Sequence, residues 1–334
     1  MNIKQFIANA GNNIASARDV LKVIWSSVPK RGTDLWADTF HKSPMLDPVH
    51  MIASDIAGTG YKIFNKQQYR KDSQNAEPYG DNPIFDLLEN MMPDHPEIDW
   101  YQVMYLTSVY YEIIGDAFWL IDRDARGKPS GVYIIPPTWC LLTPTRDIPF
   151  FRIQPLGNTS HMYFNADPAD IVWFKSADAI NPYGRGRGRA EPIGDGVETH
   201  EYSEKYAKGL MYNDATPPII LEMPGIGPEQ AKEFKENWMQ RLGGYLNARK
   251  PGIVSQAGFK VHQLSTTPKE MDLLESRKYL IQTANEHWCV PPEMRGNLQN
   301  SNRATIDSAF YLWSKNVVSK RLRIFESILN KQFV

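Results

Sequence analysis

The chain has 334 residues, 42% hydrophobic and 22% charged, enough to bury a sizeable core divided over two or three compact units. Its formal net charge of -1 argues against a generic nucleic-acid binder, whose affinity comes from many Lys and Arg contacts to phosphate. Two cysteines without metal-type spacing, Cys140 and Cys289, fit a reduced compartment, and the stretch Ile3 to Val23 has neither a signal-peptide core nor a spanning run, so synthesis in the cytoplasm is expected.

In chain order, residues 1–35 read as an N-terminal arm ordered against a partner. Asp47-Pro48 opens a helix whose apolar face is Val49, Ile52, Ala53 and Ile56, stopped by Gly58-Thr59-Gly60. Tyr61 to Phe64 reads as a strand, Gln67 to Asp81 as a polar loop, Asn82 to Met92 as a short helix and Ile98 to Gly115 as a longer one. Strand signals then recur at Ala117 to Ile121, Val132 to Pro137, Phe150 to Gln154, His161 to Phe164 and Asp170 to Phe174, with a turn at Asp124 to Gly127. The first half is therefore expected to be an α+β unit.

A long helix follows from Glu191 to Met211, with Ile193, Val197, Ala207 and Met211 on one face and Tyr202, Tyr206 and Leu210 on another. Between it and a helix capped by Thr267 and opened by Pro268 lies a small α/β insertion. Strands are expected at Ile219 to Glu222, Ile253 to Ser255 and Phe259 to Leu264, and a helix from Gly227 to about Gly243. The second helix places Met271, Leu274, Ile281 and Trp288 near one face and should end near Cys289 or Val290, because Pro291-Pro292 removes donors and clashes backward. The polar loop beyond leads into a last helix striped by Ile306, Phe310, Trp313, Val317, Ile324 and Ile328, with Leu322, Phe325 and Leu329 widening the stripe.

Several local motifs have competing readings. Gly184-Arg185-Gly186-Arg187-Gly188-Arg189 lacks the ending of a P-loop and the dinucleotide fingerprint; it reads as a flexible basic loop, with anion or subunit contact as the sharper alternative. His200-Glu201 and Glu286-His287-Trp288-Cys289 lack the repeated ligands of a zinc site, so no metal is assigned. Glu191, Asp195, Glu198, Glu201 and Glu204 read as a solvated acidic face, or, repeated around a ring, as the negative wall of a passage. The loop residues Arg295, Asn297, Gln299, Asn300, Asn302 and Arg303 offer amides and flanking charge without a row of aromatics for base stacking, which suits sliding contact with DNA. Arg295 and Arg303 suit a phosphate contact and equally a salt bridge to a neighbouring subunit.

The order of these elements resembles the portal proteins of tailed double-stranded DNA bacteriophages, from about Phe40 to Phe333. The likeness is carried by His41 to Ala57, Gly115 to Ile121, Pro136-Pro137, Asp170 to Phe174, Asn181 to Gly184, Asn213 to Pro218, Gly243 to Asn247 and Val290 to Glu293. It implies an α+β portal fold: wing at 36–190, stem helices at 191–215 and 266–290, clip at 216–265, tunnel loop at 291–303 and a long wing helix at 304–334. The chain stops at Val334, where many relatives continue into a helical crown.

The resemblance further implies a non-enzymatic dodecameric ring at one capsid vertex, the channel for genome packaging and ejection, needing no cofactor and no membrane. Expected partners are double-stranded DNA passing without sequence preference, the large terminase, the major capsid or scaffold protein and a head-completion adaptor. Particles would assemble in the host cytoplasm. Residues 291–303 would narrow the channel, the acidic stem positions Glu191, Asp195, Glu198 and Glu201 would line it, and Glu229, Lys232, Lys235, Arg249 and Lys250 would face clip partners. The rival readings are a metal-dependent nucleic-acid-processing enzyme, which needs carboxylates clustered around Mg²⁺, and a ring-forming scaffold or adaptor without DNA in its lumen.

Overall fold

The computed structural model describes residues 46–72, 75–80, 82–154, 163–212, 219–222, 227–242, 260–263, 273–297 and 302–333. The chain divides into two compact units, one of Leu46–Gly194 with Ala284–Val334, the other of Asp195–Thr283. The first unit opens with helices α1 (Asp47–Gly58), α2 (Lys66–Lys71), α3 (Pro83–Glu89) and α4 (Trp100–Ile113). Strands β1 (Asp116–Arg123), β2 (Pro129–Ile135), β3 (Cys140–Leu142), β4 (Phe151–Ile153), β5 (Phe164–Ala166) and β6 (Ile171–Lys175) follow. Next come helix α5 (Gly194–Tyr212), strand β7 (Ile219–Glu222), helix α6 (Pro228–Leu242), strand β8 (Lys260–Gln263) and helix α7 (Leu273–His287). A 3-10 turn (Pro292–Arg295), helix α8 (Arg303–Trp313), a π turn (Ser314–Val318) and helix α9 (Ser319–Gln332) complete the chain. This is the mixed helix and sheet class expected from the sequence.

Strand β1 is the middle of the antiparallel sheet β2-β1-β6. Successive side chains of a strand point to opposite faces, and Ala117 to Ile121 are buried on both because each face is covered. On one face Trp119 meets Phe174, with ring centroids 4.8 Å apart, and its indole N–H donates to Thr107 of α4 at 2.7 Å. Phe325 of α9 closes the same face against Phe174 and Tyr111. On the other face Phe118 meets Phe151 of the second sheet, β3-β4-β5, at 5.8 Å. Full burial of each such side chain contributes about 1.5–3 kcal/mol. Helix α1 packs on α4 through Val49, Ile52, Ala53 and Ile56, all at most 1% exposed.

Local chemistry explains most boundaries. Asn82 and Asp99 accept backbone N–H bonds at the starts of α3 and α4, as N-cap side chains do. Three expectations are corrected. Tyr61 to Phe64 forms no strand, only a single bridge from Phe64 to Pro78, since Tyr61 packs its ring on Trp100 and Phe64 on Tyr69. The expected polar loop begins as helix α2, capped by the Asn65 side chain. The strand placed at His161 to Phe164 lies further on, at Phe164–Ala166, paired with β4; His161 itself is outside the described residues.

The last helix is also corrected. Ala309, Trp313, Val317, Val318, Arg321 and Phe325 are its buried residues, whereas Phe310 is 52% and Ile324 37% exposed. The five-residue π turn shifts the register, so the straight 3.6-residue stripe does not describe both halves.

In the second unit β7 and β8 pair antiparallel from Ile219↔Gln263 to Glu222↔Lys260. The strand expected at Ile253 to Ser255 and the cap at Thr267-Pro268 fall outside the described residues. Tyr202 and Tyr206 of α5 are 67% and 43% exposed.

Candidate functional site

The loop after Val290 is held by a helix end that its sequence does not advertise. Cys289 has a φ of 58°, in the left-handed region normally taken by glycine. Val290 N–H donates to the Asn285 carbonyl and Cys289 N–H to that of Glu286, the paired bonds that satisfy a helix's last carbonyls. Helix α7 thus stops at its own C-terminal motif, with Val290 buried behind it, before Pro291-Pro292 is reached. Gly296, at φ 77°, closes the 3-10 turn, and Asn302 opens α8 with a reciprocal side-chain cap to Thr305.

Both flanks are anchored by tryptophans. Trp288, 1% exposed, donates its indole N–H to Glu112 at 3.2 Å, and Trp313 donates to Asp55 of α1 at 2.6 Å. Glu112 is itself 1% exposed and takes two bonds from Arg321, at 2.6 and 3.1 Å, with the Arg189 guanidinium 4.0 Å away. The Glu112 carbonyl accepts the N–H groups of Arg189 and Ala190. One residue of α4 therefore holds the last helix, the flank of the loop and the segment entering α5.

The Gly/Arg run is the second surprise. It is packed against the α4-to-β1 junction instead of forming a flexible basic loop. A Cβ on Gly186 would lie 2.0 Å from the Gly115 carbonyl oxygen, and one on Gly188 1.8 Å from that of Ile113. Each arginine meets a carboxylate. Arg185 donates to the fully buried Asp116 at 2.8 Å and to the carbonyls of Cys140 and Pro137. Arg187 makes two bonds to Glu191, and Arg189 faces Glu112. Asp116 also accepts from the Trp173 indole and from Gly186 N–H. Burial pushes the neighbouring Cys140 thiol up to about 11, so that thiol is inert.

The sequence-derived site residues fall as follows. Arg295 is the exposed last residue of the 3-10 turn, Asn297 is exposed just beyond it, Gln299 and Asn300 lie outside the described residues, and Arg303 is the exposed first residue of α8. Asn302 is spent on the cap, a contribution of about 1 kcal/mol to helix stability. Of the acidic positions, Asp195 and Glu198 are exposed on α5. Glu191 is paired with Arg187, whose guanidinium holds its carboxyl low, and Glu201 is paired with Lys205 at 2.5 Å. Glu229 and Lys232 are exposed on α6, and Lys235 belongs to the same helix. Arg249 and Lys250 fall outside the described residues. Sequence reading missed Glu112 and Arg321; Glu112 was signalled by a lone charge inside an apolar run, whereas Arg321, between Lys320 and Arg323, carried no such signal.

His200, one of the motif histidines, is 1% exposed with neither ring nitrogen hydrogen-bonded. Burial lowers its pKa below 6.5, with Glu204 opposing and Arg277 adding to the shift. The unfolded chain therefore takes up this proton first, and the stability present above about pH 6.5 is lost as pH falls toward the depressed folded value. His200→Leu should flatten the decline of the urea midpoint between about pH 7 and pH 5. An unchanged slope would show that His200 is not a source of acid sensitivity.

Among the described residues no three His, Cys, Asp or Glu side chains gather as metal ligands, and no helix is long and apolar enough to cross a membrane. The buried charges hold elements together and anchor both flanks of the loop. The phage portal protein family model matches residues 46–334, and the chain belongs to that family. A probable portal protein of Streptomyces phage phiC31 is 25% identical over 100 residues, 30% of this chain and 22% of that protein. The solved HK97-family phage portal protein from Corynebacterium diphtheriae has 15% identity and a TM-score of 0.57, covering 90% of this chain and 91% of its own. A chain in the neck of a native gene transfer agent particle, computed with C12 symmetry, has 16% identity and a TM-score of 0.57, covering 93% of this chain and 84% of its own. These matches show a shared fold, and membership of the family makes this chain a portal protein of the virion.

Proposed function

We propose that the chain assembles into a closed twelve-membered ring at one capsid vertex, with residues 291–303 bordering a channel for double-stranded DNA. The ring docks the large terminase during packaging, is built with the major capsid or scaffold protein in the host cytoplasm, and later receives a head-completion adaptor. Its second unit carries Glu229, Lys232, Lys235, Arg249 and Lys250 toward those partners. No catalytic step is assigned to it. The observation that carries the reading is the pair of loop ends: Arg295 to Asn297 and Asn302 to Arg303 are exposed, and they are flanked by Trp288 on Glu112 on one side and Trp313 on Asp55 on the other. A loop that touches moving DNA needs a rigid base and contacts indifferent to sequence. Asp195 and Glu198 would keep a polyanion from adhering to the wall.

Removing residues 297–301, which spares the Asn302 cap, should leave rings intact by mass photometry and abolish DNA-filled particles in an assembly assay. Normally filled particles would overturn the loop's role, and a strictly monomeric wild-type protein under assembly conditions would overturn the ring.

A further inference from the structure

Helix α8, which carries the chain away from the loop, buries Ala309 and Trp313 along one side, and among the described residues its other sides are exposed or half-buried. Phe310 and Leu312 are each 52% exposed, and no ring contact to Phe310 is formed among the described residues. At about 100° per residue, Phe310 stands about 160° round the helix from both Ser308 and Leu312. The flank opposite Phe310 is an open groove of about 450 Å³ between the helix and the 3-10 turn, floored by Ala304, Ser308 and Leu312 and rimmed by Pro291 and Glu293. One helix therefore bears a projecting aromatic ring on one flank and, on the other, a hollow floored by Ala304 and Ser308 beside Leu312.

We infer that copies of this chain join head to tail through α8, the Phe310 flank of one protomer entering the groove of the next. The inference rests on the ring reading above and names the residues that close it. Two features commit the groove to a second copy. Both complementary parts lie on one helix, which is the condition for a heterologous contact that repeats until it closes. The groove also borders the 3-10 turn that opens the loop, so joining protomers here sets adjacent loops at one height around the ring.

The test mixes two full-length variants. Phe310→Asp removes the projection, and Ser308→Trp fills the groove from an exposed position. Each alone should stay monomeric by analytical ultracentrifugation at concentrations where the wild type forms rings, with a wild-type circular dichroism spectrum. An equimolar mixture should give heterodimers and nothing larger, since only one complementary pair of flanks survives. Rings from either variant alone, or folded variants that fail to pair when mixed, would overturn the assignment while leaving the ring reading standing. Wild-type protein that forms no ring would defeat that reading itself, whatever the variants do.

Discussion

Gly188→Ala is expected to yield little or no folded protein. The added Cβ would sit 1.8 Å from the Ile113 carbonyl oxygen and 2.6 Å from its carbon, a collision of backbone with backbone that no side-chain rotation relieves. Nor can the segment withdraw cheaply. Arg189 and Ala190 N–H bond the Glu112 carbonyl just after it, and Arg185 and Gly186 bond the buried Asp116 just before it. A retreat wide enough to clear the contact breaks several of these bonds, which places the loss at about 4–5 kcal/mol or beyond. Gly184→Ala is the control: its Cβ meets the Asn181 side-chain amide at 2.5 Å, which can swing aside. Urea unfolding of both variants decides the matter, and a Gly188→Ala curve matching wild type would refute the packed reading of the Gly/Arg run.

Glu112→Ala should cost about 3–5 kcal/mol, because Arg321 would be left charged, 4% exposed and without its partner. Arg321→Met should be comparably costly by stranding the carboxylate. The double variant Glu112→Leu with Arg321→Met should recover most of the loss, since replacing a whole buried pair with apolar groups is often near neutral. Recovery should remain incomplete, because the Trp288 indole N–H loses its acceptor, a cost of about 1–3 kcal/mol. Chemical unfolding of the four proteins closes the cycle. Additive single losses in the double variant would mean that the two residues do not act as a pair.

How far the sequence revealed this architecture depends on the range of the interactions involved. Helices α1, α3, α4 and α6 and the strands of the central sheet were legible because their signals are local: a capping Asn or Asp, a Pro at the first turn, a run of apolar residues at one period. Helix α2 was missed because its sequence, Lys66–Lys71, carries no apolar stripe; only Asn65 marks it. The position of the loop was legible from Pro291-Pro292, while the left-handed Cys289 that ends the preceding helix was not, since cysteine has no special tolerance for that conformation. The anchorage was hidden by distance: Glu112 and Arg321 are 209 residues apart, and Trp288 is 176 from its acceptor. The composition of residues 184–189 pointed the wrong way. Alternating glycine and arginine looks flexible and cationic in isolation, and only the carboxylates of other segments turn it into a fitted, neutralised strap.

The π turn has a mechanical meaning. Trp313 and Phe325 are twelve positions apart, and in an unbroken α-helix steps of about 100° would aim them about 120° away from each other. Absorbing one residue in the wide turn winds this back to about 20°, so both rings reach the core. The wide turn works as a slip clutch: it takes up one residue without passing on its rotation, so the azimuth of everything N-terminal to it, Phe310 included, is kept against the core as in a helix one residue shorter. Deleting Asn316 would leave Trp313 and Phe325 eleven positions apart in a uniform helix, still about 20° from each other, so both rings should keep their place in the core and the loop's exit its azimuth.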